Sequence, residues 1–187
     1  CFNNFAKVTP PVIACWGEIL RQTPHARLLL EVHGAQDAAF VQDIRQRFVT
    51  AGAQATQIDI LPRQANQQYV LYRQVDLALD PFPCCGGTTS CDSLWMGVPF
   101  VTLAGRSFVS RMGVTLLHNT GLDELIVDSE AQYIAKAVAL AHDLPRLRAL
   151  REGLRERVTA SPLMDAPRFA GHFVQALHEM WAAREQG

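Results

Sequence analysis

Residues 75–103 most constrain how this chain folds, because a strand, a glycine turn, a helix and a second strand follow one another there. Residues 75–80 form a short apolar run that is typical of a buried strand ending on a turn. Residues 86–87 are both glycine and leave the backbone free of Cβ atoms, and the two threonines at 88–89 supply hydroxyls where a helix would begin. The order strand, glycine turn, helix N-terminus is therefore predicted.

The rest of the chain repeats this alternation of strand and helix. Leu94, Trp95 and Val98 give the helix after the turn an apolar face, and a new strand is expected at 100–103. Strands alternating with helices predict an α/β fold, a parallel sheet flanked by helices. Further strands are predicted at 27–32 and 57–62, and further helices after the Thr-Pro-Pro at 9–11 and at 37–50, 107–120, 131–142, 144–158 and 167–184.

The glycine turn is suited to holding phosphate. It would aim unpaired backbone N–H groups and the positive end of the helix dipole at one point. Asp92 lies about one helical turn further on, where a carboxylate can accept hydrogen bonds from ribose hydroxyls. Phosphate and ribose together indicate a nucleotide. The alternative is a well-capped helix whose glycines serve only the turn, and the short string G-G-T-T leaves both interpretations open.

Composition narrows the function classes. With 187 residues, 49% of them hydrophobic, the chain can bury one core. A net charge of −1 with interspersed signs predicts binding to neither nucleic acid nor an anionic membrane. Only two of the 17 basic residues are lysines, Lys7 and Lys136. Most arginines of 144–158 are expected to form a solvated face.

Five cysteines without a C-x-x-C pair or zinc-like histidine spacing predict no metal site. An odd cysteine count without a secretion signal favours reduced thiols in the cytoplasm, and no apolar run approaches the roughly 20 residues of a membrane helix. The chain begins with Cys1 in what looks like the exit of a strand, so we expect it to be a piece of a longer protein.

The longer string D-P-F-P-C-C-G-G-T-T-S-C-D-S-L-W-M-G-V-P at 80–99 resembles the protein O-GlcNAc transferases and their bacterial relatives with tetratricopeptide repeats. The resemblance continues through G-R-S-F-V-S-R at 105–111 and G-L-D-E-L at 121–125, and covers nearly the whole chain. Cys85 stands where the family usually has Asn, and Gly87 stands where animal members have His and bacterial members commonly have Gly.

This resemblance implies the carboxy-terminal, donor-binding lobe of a two-lobed (GT-B) glycosyltransferase that uses UDP-N-acetylglucosamine. It places Asn4 and Lys7 against the donor's pyrophosphate, and Arg63 and Gln68 near the uracil. Arg63 as an ordinary surface charge remains an equal alternative. Lys7 is the implied catalytic residue, and the implied donor-binding residues are Asn4, Lys7, Arg63, Gln68, Gly86, Gly87, Thr88, Thr89 and Asp92.

The implied reaction is metal-independent and inverting, with a Ser or Thr hydroxyl of a protein as acceptor. The partners would be an amino-terminal catalytic lobe and tetratricopeptide helices upstream. The lobe is expected at 1–160, and a last helix at 161–187 would return toward the missing lobe. Its stripe of Phe169, Phe173, Leu177 and Trp181 is most simply explained by core packing. Two other functions stay open, a non-catalytic UDP-binding module and a transferase with a small-molecule or lipid acceptor.

Overall fold

The computed structural model describes residues 1–63 and 68–185, with the side chain of Gln68 outside the description. Its five strands are β1 Leu28–Val32, β2 Ile58–Pro62, β3 Ala78–Leu79, β4 Phe100–Leu103 and β5 Ile126–Val127. Its eight α-helices are α1 Pro10–Gln22, α2 Ala38–Thr50, α3 Gln68–Leu71, α4 Thr88–Trp95, α5 Met112–Asn119, α6 Glu130–His142, α7 Leu144–Thr159 and α8 Ala166–Glu185. These elements alternate as the sequence predicts, which confirms the α/β class.

All strand pairs in the described residues are parallel. β1 pairs with β2 from Leu28 opposite Ile58 onward, while β4 lies between β3 and β5. The strand expected at 75–80 is shorter than predicted, because a 3₁₀ turn, Tyr72–Gln74, precedes it. The backbone of Cys1 runs beside β1, since its carbonyl accepts a hydrogen bond from Glu31 N at 3.2 Å. The described strands thus form two sheets, β1–β2 and β3–β4–β5, and the parallel strands of each sheet have their carboxyl ends at the same edge. The glycine turn follows the carboxyl end of β3.

Helices α1 and α6 pack across the centre of the core. Trp16 and Tyr133 are fully buried, and the Trp16 indole N–H donates to the Tyr133 hydroxyl at 3.2 Å. Tyr133 in turn donates to the backbone carbonyl of Asp80 at 2.9 Å. Because Asp80 follows β3 directly, this chain of hydrogen bonds ties the helix layer to the strand end that carries the glycine turn.

The helix expected at 107–120 begins later, at Met112. Ser107 and Ser110 cap each other around the 3₁₀ turn Phe108–Ser110, so this segment leaves the helix axis. Val109 is therefore exposed at 48%. Its carbonyl instead accepts a hydrogen bond from Cys85 N at 3.0 Å, which joins this turn to the glycine turn.

The prediction of a solvated arginine face on α7 was wrong for Arg151, which is half-buried, whereas Arg155 is exposed and still contacts the protein. Arg151 donates to the carbonyls of Val75 and Tyr72, at 2.6 and 3.1 Å, and Arg155 donates to that of Trp95 at 2.8 Å. Arg155 also lies over the Trp95 ring, at 4.6 Å from its centroid. This tryptophan is 37% exposed rather than buried in the core. Guanidinium groups suit these sites because each presents several N–H donors to helix-end carbonyls.

The core-packing interpretation of the last helix was also wrong. Phe169, Phe173, Leu177 and Trp181 are exposed at 68, 55, 49 and 62%. No residue of α8 is buried. The division into 1–160 and 161–187 stays a prediction. Across the described residues, no helix is both long and apolar enough to cross a membrane.

Candidate functional site

The glycine turn lies between β3 and α4, and its first glycine is required by close packing. A Cβ atom on Gly86 would lie 2.2 Å from Ser90 Oγ and 3.0 Å from the side-chain oxygen of the buried Asn3. Gly87 has more room, because a Cβ there would meet only Met112 Cε at 3.6 Å. Gly86 therefore lets the turn approach α4 and Asn3. Asn3 was not among the site residues predicted from the sequence.

Helix α4 begins as predicted, with Gly87 as its N-cap. The Gly87 carbonyl accepts hydrogen bonds from the N–H groups of Ser90 and Cys91, both at 3.0 Å. Among the described residues, nothing accepts a hydrogen bond from the backbone N–H groups of Gly87, Thr88 and Thr89. Three consecutive donors at the positive end of a helix form a place where phosphate oxygens can bind.

Lys7 reaches the same turn from the start of the chain. Its Nζ donates to the carbonyl of Cys85 at 2.8 Å, so the ammonium group lies one residue before Gly86. Asn4 acts on the position of Lys7, because it caps the 3₁₀ turn Phe5–Lys7: its side-chain oxygen accepts from Ala6 N and its carbonyl from Lys7 N, both at 3.0 Å. The exposed Asn4 thus has a local role, whatever it contacts in a ligand.

Asp80 is a part of the site that sequence reasoning passed over. It is 2% exposed and accepts hydrogen bonds from Gly86 N–H and from Thr102 Oγ1, both at 2.7 Å. Burial raises the pKa of Asp80 to about 6, although these hydrogen bonds and the positive charge of Lys7 act in the opposite direction. A charged residue at the end of an apolar strand was the signal that marked it in the sequence.

The thiol next to the turn is not activated. Cys85 is buried, and burial, followed by the charge of Asp80, raises its pKa to about 11. Its Sγ lies 3.7 Å from Thr102 Oγ1. Cys85 therefore fills space as a neutral thiol at the position where the resembled family usually has Asn.

Asp92 and Arg63 are the two charged residues that the sequence predicts for the nucleoside. Asp92 is half-buried, and its Oδ1 accepts from the hydroxyl of Tyr69 at 3.4 Å. The exposed Arg63 follows β2 and lies 3.4 Å from His33, which follows β1, so both sit at the carboxyl edge. Burial, and then the negative charge of Asp92, raises the pKa of Tyr72, while the charge of Arg63 lowers it. The charges of Asp92 and Arg63 thus both affect the pKa of Tyr72.

Gln68, the other residue expected near the uracil, begins α3, but its side chain lies outside the described residues. Tyr72 donates to the carbonyl of Thr89 at 3.2 Å and so connects the 3₁₀ turn after α3 to α4. Within 1–63 and 68–185, no three His, Cys, Asp or Glu side chains are grouped to hold a metal ion. The five cysteines are free thiols.

Comparison with known proteins identifies relatives across nearly the whole chain. The chain is 38% identical over 187 aligned residues to a probable UDP-N-acetylglucosamine–peptide N-acetylglucosaminyltransferase, SPINDLY, of Solanum lycopersicum, an alignment that covers 96% of this chain and 20% of the relative. It is 30% identical to the UDP-N-acetylglucosamine–peptide N-acetylglucosaminyltransferase of Caenorhabditis elegans, covering all of this chain and 16% of the relative. The chain therefore spans about a fifth of these relatives' length.

A solved structure shares the fold. A mutant of the Thermobaculum terrenum O-GlcNAc transferase superposes with a TM-score of 0.91 at 34% identity, covering 97% of this chain and 35% of that one. The family model described as glycosyl transferase family 41 matches residues 1–173. The resemblance seen in the glycine turn is thus confirmed along the sequence and in three dimensions, and the chain belongs to glycosyl transferase family 41.

Proposed function

We propose that this chain is the donor-binding half of a glycosyltransferase that moves N-acetylglucosamine from UDP-N-acetylglucosamine to Ser or Thr hydroxyls of proteins. Membership of the family and the names of the relatives support this assignment. The observation that carries it is the meeting of the Lys7 ammonium group with three free N–H groups, those of Gly87, Thr88 and Thr89. Together they form a compact, positively polarised site for a diphosphate.

In the proposed reaction the acceptor oxygen attacks the anomeric carbon of the sugar and inverts it. The bond from that carbon to the diphosphate breaks, and UDP leaves with the electron pair. Negative charge on the diphosphate grows in the transition state, so donors placed there lower the barrier more than they strengthen ground-state binding. Lys7 would supply the positive charge, with the N–H groups and hydroxyls of Thr88 and Thr89 as further donors. No metal ion is needed in this scheme.

The nucleoside would lie toward the side that carries Arg63, Gln68 and Asp92. The carboxylate of Asp92 suits ribose hydroxyls because it accepts hydrogen bonds and, in this structure, already has a weak donor in Tyr69. Arg63 follows β2 at the carboxyl edge, where open α/β sheets bind ligands. Asn4 would act with Lys7 on the pyrophosphate, since it caps the turn that carries Lys7.

The acceptor groove and the general base are proposed to lie in parts of the protein beyond this chain. Those parts would be an amino-terminal catalytic lobe and upstream tetratricopeptide helices of a bacterial-type enzyme. The relatives' names, which specify a peptide acceptor, favour a protein over a small molecule or lipid. Five free thiols are in keeping with the reducing cytoplasm, which we propose as the compartment.

The test is a transfer assay with the full-length protein, radiolabelled UDP-N-acetylglucosamine and a library of Ser- and Thr-containing peptides. We expect label on peptide hydroxyls and release of UDP. Binding of the donor with no transfer to any peptide or protein extract would contradict the enzyme and favour a UDP-binding module. Transfer only to lipid or small-molecule fractions would contradict the protein acceptor.

A further inference from the structure

One peptide group in the glycine turn is held at both of its ends by opposite charges. Lys7 Nζ donates to the Cys85 carbonyl at 2.8 Å, and the N–H of Gly86, from the same peptide group, donates to Asp80 Oδ1 at 2.7 Å. The two bonds fix the plane of this peptide. With the Gly86 N–H directed inward, the carbonyl faces Lys7, and the N–H groups of residues 87–89 have no acceptor among the described residues.

Asp80 is held tightly from several directions. Its Oδ2 accepts from Thr102 Oγ1 at 2.7 Å, and Ser90 Oγ lies 3.5 Å from Oδ1. Helix α5 presses against it, since a Cβ on Gly113 would lie 2.6 Å from Oδ2 and 2.3 Å from Thr102 Oγ1. Strand ends, turn, α4 and α5 therefore all meet at this carboxylate.

The burial of Asp80 is costly. No ion pair to it occurs among the residues that the structure describes, so two short hydrogen bonds and a more distant Lys7 offset its loss of hydration. Buried charges that are only partly compensated are concentrated at functional sites. Of the two short hydrogen bonds, the one from the Gly86 N–H ties the acceptor oxygen of Asp80 to the glycine turn, and leaving that buried N–H unpaired would be unfavourable.

We propose that Asp80 is a positioning residue for the donor's diphosphate, acting through the Cys85–Gly86 peptide rather than by contact with the ligand. This inference rests on the proposed function. Without an acceptor beneath Gly86, the peptide can rotate, which displaces the carbonyl that receives Lys7 and turns the start of α4 away from the phosphate oxygens. A 1 Å misplacement of such groups is enough to weaken binding and catalysis.

The competing explanation is that Asp80 only stabilises the fold. A substitution of Thr102 distinguishes this explanation from a positioning role. Thr102→Val removes the hydrogen bond to Oδ2 and leaves the bond from Gly86 N–H to Oδ1 in place. Asp80→Asn keeps an oxygen for Gly86 and an amide donor for Thr102. Asp80→Ala removes both bonds. If Asp80 is a positioning residue, donor affinity should fall only in variants that lose the Gly86 hydrogen bond. If Asp80 is purely structural, donor affinity should fall in every variant whose Tm falls.

The experiment measures calorimetric affinity for UDP-N-acetylglucosamine, together with the Tm, in the full-length protein at pH 7.5. The intact sugar nucleotide is used because the terminal phosphate of free UDP titrates near pH 6 and would add its own protonation. We expect Asp80→Ala to lose about tenfold or more in affinity, the scale for one hydrogen bond to a charged group. Asp80→Asn should stay within about threefold of the parent, and Thr102→Val should do so despite a lower Tm.

Parent-like affinity in Asp80→Ala, or affinity in Thr102→Val that falls as far as in Asp80→Ala, would overturn the positioning role. A parent protein that does not bind the sugar nucleotide would instead overturn the proposed function. Should the alanine variant not fold, Asp80→Ser carries the same comparison, because one short hydroxyl can serve Thr102 but cannot also reach Gly86. Parent-like affinity in the serine variant would then overturn the inference.

Discussion

The two sides of the candidate site are built differently. On the phosphate side, Lys7, Gly86 and Asp80 are joined by bonds of 2.7 and 2.8 Å, and Asp80 is 2% exposed. On the nucleoside side, the side chains of Asp92 and Arg63 each make one contact, of 3.4 Å, with the part of the chain that the structure describes. The phosphate side is therefore set before a ligand arrives, whereas the described contacts on the nucleoside side are weak.

This difference has an energetic consequence. A group fixed in advance loses little entropy when the ligand binds, so its full interaction is available in the transition state. An exposed charge on a long side chain interacts through water and must be ordered on binding, which reduces its contribution. Substitutions on the phosphate side should consequently affect catalysis most, and those on the nucleoside side should mainly affect affinity.

The largest effect is expected for Lys7→Ala. Removing the cation at the diphosphate should lower kcat by about 100-fold with a smaller change in KM, because the lost interaction is strongest in the transition state. The measurement is steady-state kinetics of the full-length enzyme. Lys136→Ala, on α6, is the matched control and should behave as the parent. Equal kinetics for the parent and Lys7→Ala would remove Lys7 from the site.

The second effect concerns stability. Because burial raises the Asp80 pKa from 3.8 to about 6, the folded state holds this proton more tightly than the unfolded state. Stability from this group therefore falls as pH rises between about 4 and 6. Asp80→Asn lacks the ionisation, so between pH 4.5 and 7.5 its free energy of unfolding should rise by about 2 kcal/mol relative to that of the parent. Urea unfolding of both proteins at pH 4.5 and 7.5 measures the difference, and a gap that does not change with pH would contradict it.

The third effect tests the close packing of the turn. Gly86→Ala places a methyl group 2.2 Å from Ser90 Oγ, so the turn must shift. We expect the free energy of donor binding to become less favourable by about 1–3 kcal/mol, the scale of an overpacked site. Adding Ser90→Ala should restore part of the affinity. Gly153→Ala is the control, because nothing lies within 4 Å of a Cβ there. Unchanged donor affinity in calorimetry of Gly86→Ala would show that the turn tolerates the shift.

A smaller effect is expected for Asp92→Asn on the nucleoside side. The amide keeps the helix but loses a charged acceptor for ribose hydroxyls, so UDP affinity should fall about tenfold while kcat changes little. Asp43→Asn provides a comparison at an exposed position on α2, where Asp43 pairs with Arg47. Equal calorimetric affinity of Asp92→Asn and the parent would limit Asp92 to its contact with Tyr69.

The smallest effect is expected for Arg63→Ala. The guanidinium is exposed and its one contact among the described residues is to His33, so UDP affinity should change by no more than about fivefold, the scale of an exposed charged contact. Arg148→Ala, at another exposed position, serves as the control. A loss of two orders of magnitude would mean that Arg63 is fixed by the ligand as firmly as Lys7, and the contrast between the two sides would fail.

Local features of the sequence predicted the structure best. The turn, its glycines and the start of α4 depend on residues close together in the chain, and all three were confirmed. Thr9 before two prolines likewise marked the start of α1. The later start of α5 was missed because Ser107 and Ser110 cap each other in a separate turn, although both residues were visible in the sequence.

Long-range contacts could not be read from the chain. Arg151 looks like a surface charge on α7, yet it binds carbonyls at 72 and 75, and only the packing of α7 against that turn brings them together. Asp80 ends an apolar run, but its partners Gly86 and Thr102 are fixed by the meeting of β3, β4 and the turn. The apolar stripe on α8 has helical periodicity. This periodicity predicts which side of the helix is apolar, but it does not predict what packs against that side.

The most direct test of the phosphate site is a structure of the full-length protein bound to UDP-N-acetylglucosamine. We expect diphosphate oxygens about 2.7–3.2 Å from the N–H groups of Gly87, Thr88 and Thr89 and from Lys7 Nζ, with the Gly86 N–H still bound to Asp80. A diphosphate bound away from residues 86–89, or beyond hydrogen-bond distance of Lys7 Nζ, would contradict this expectation.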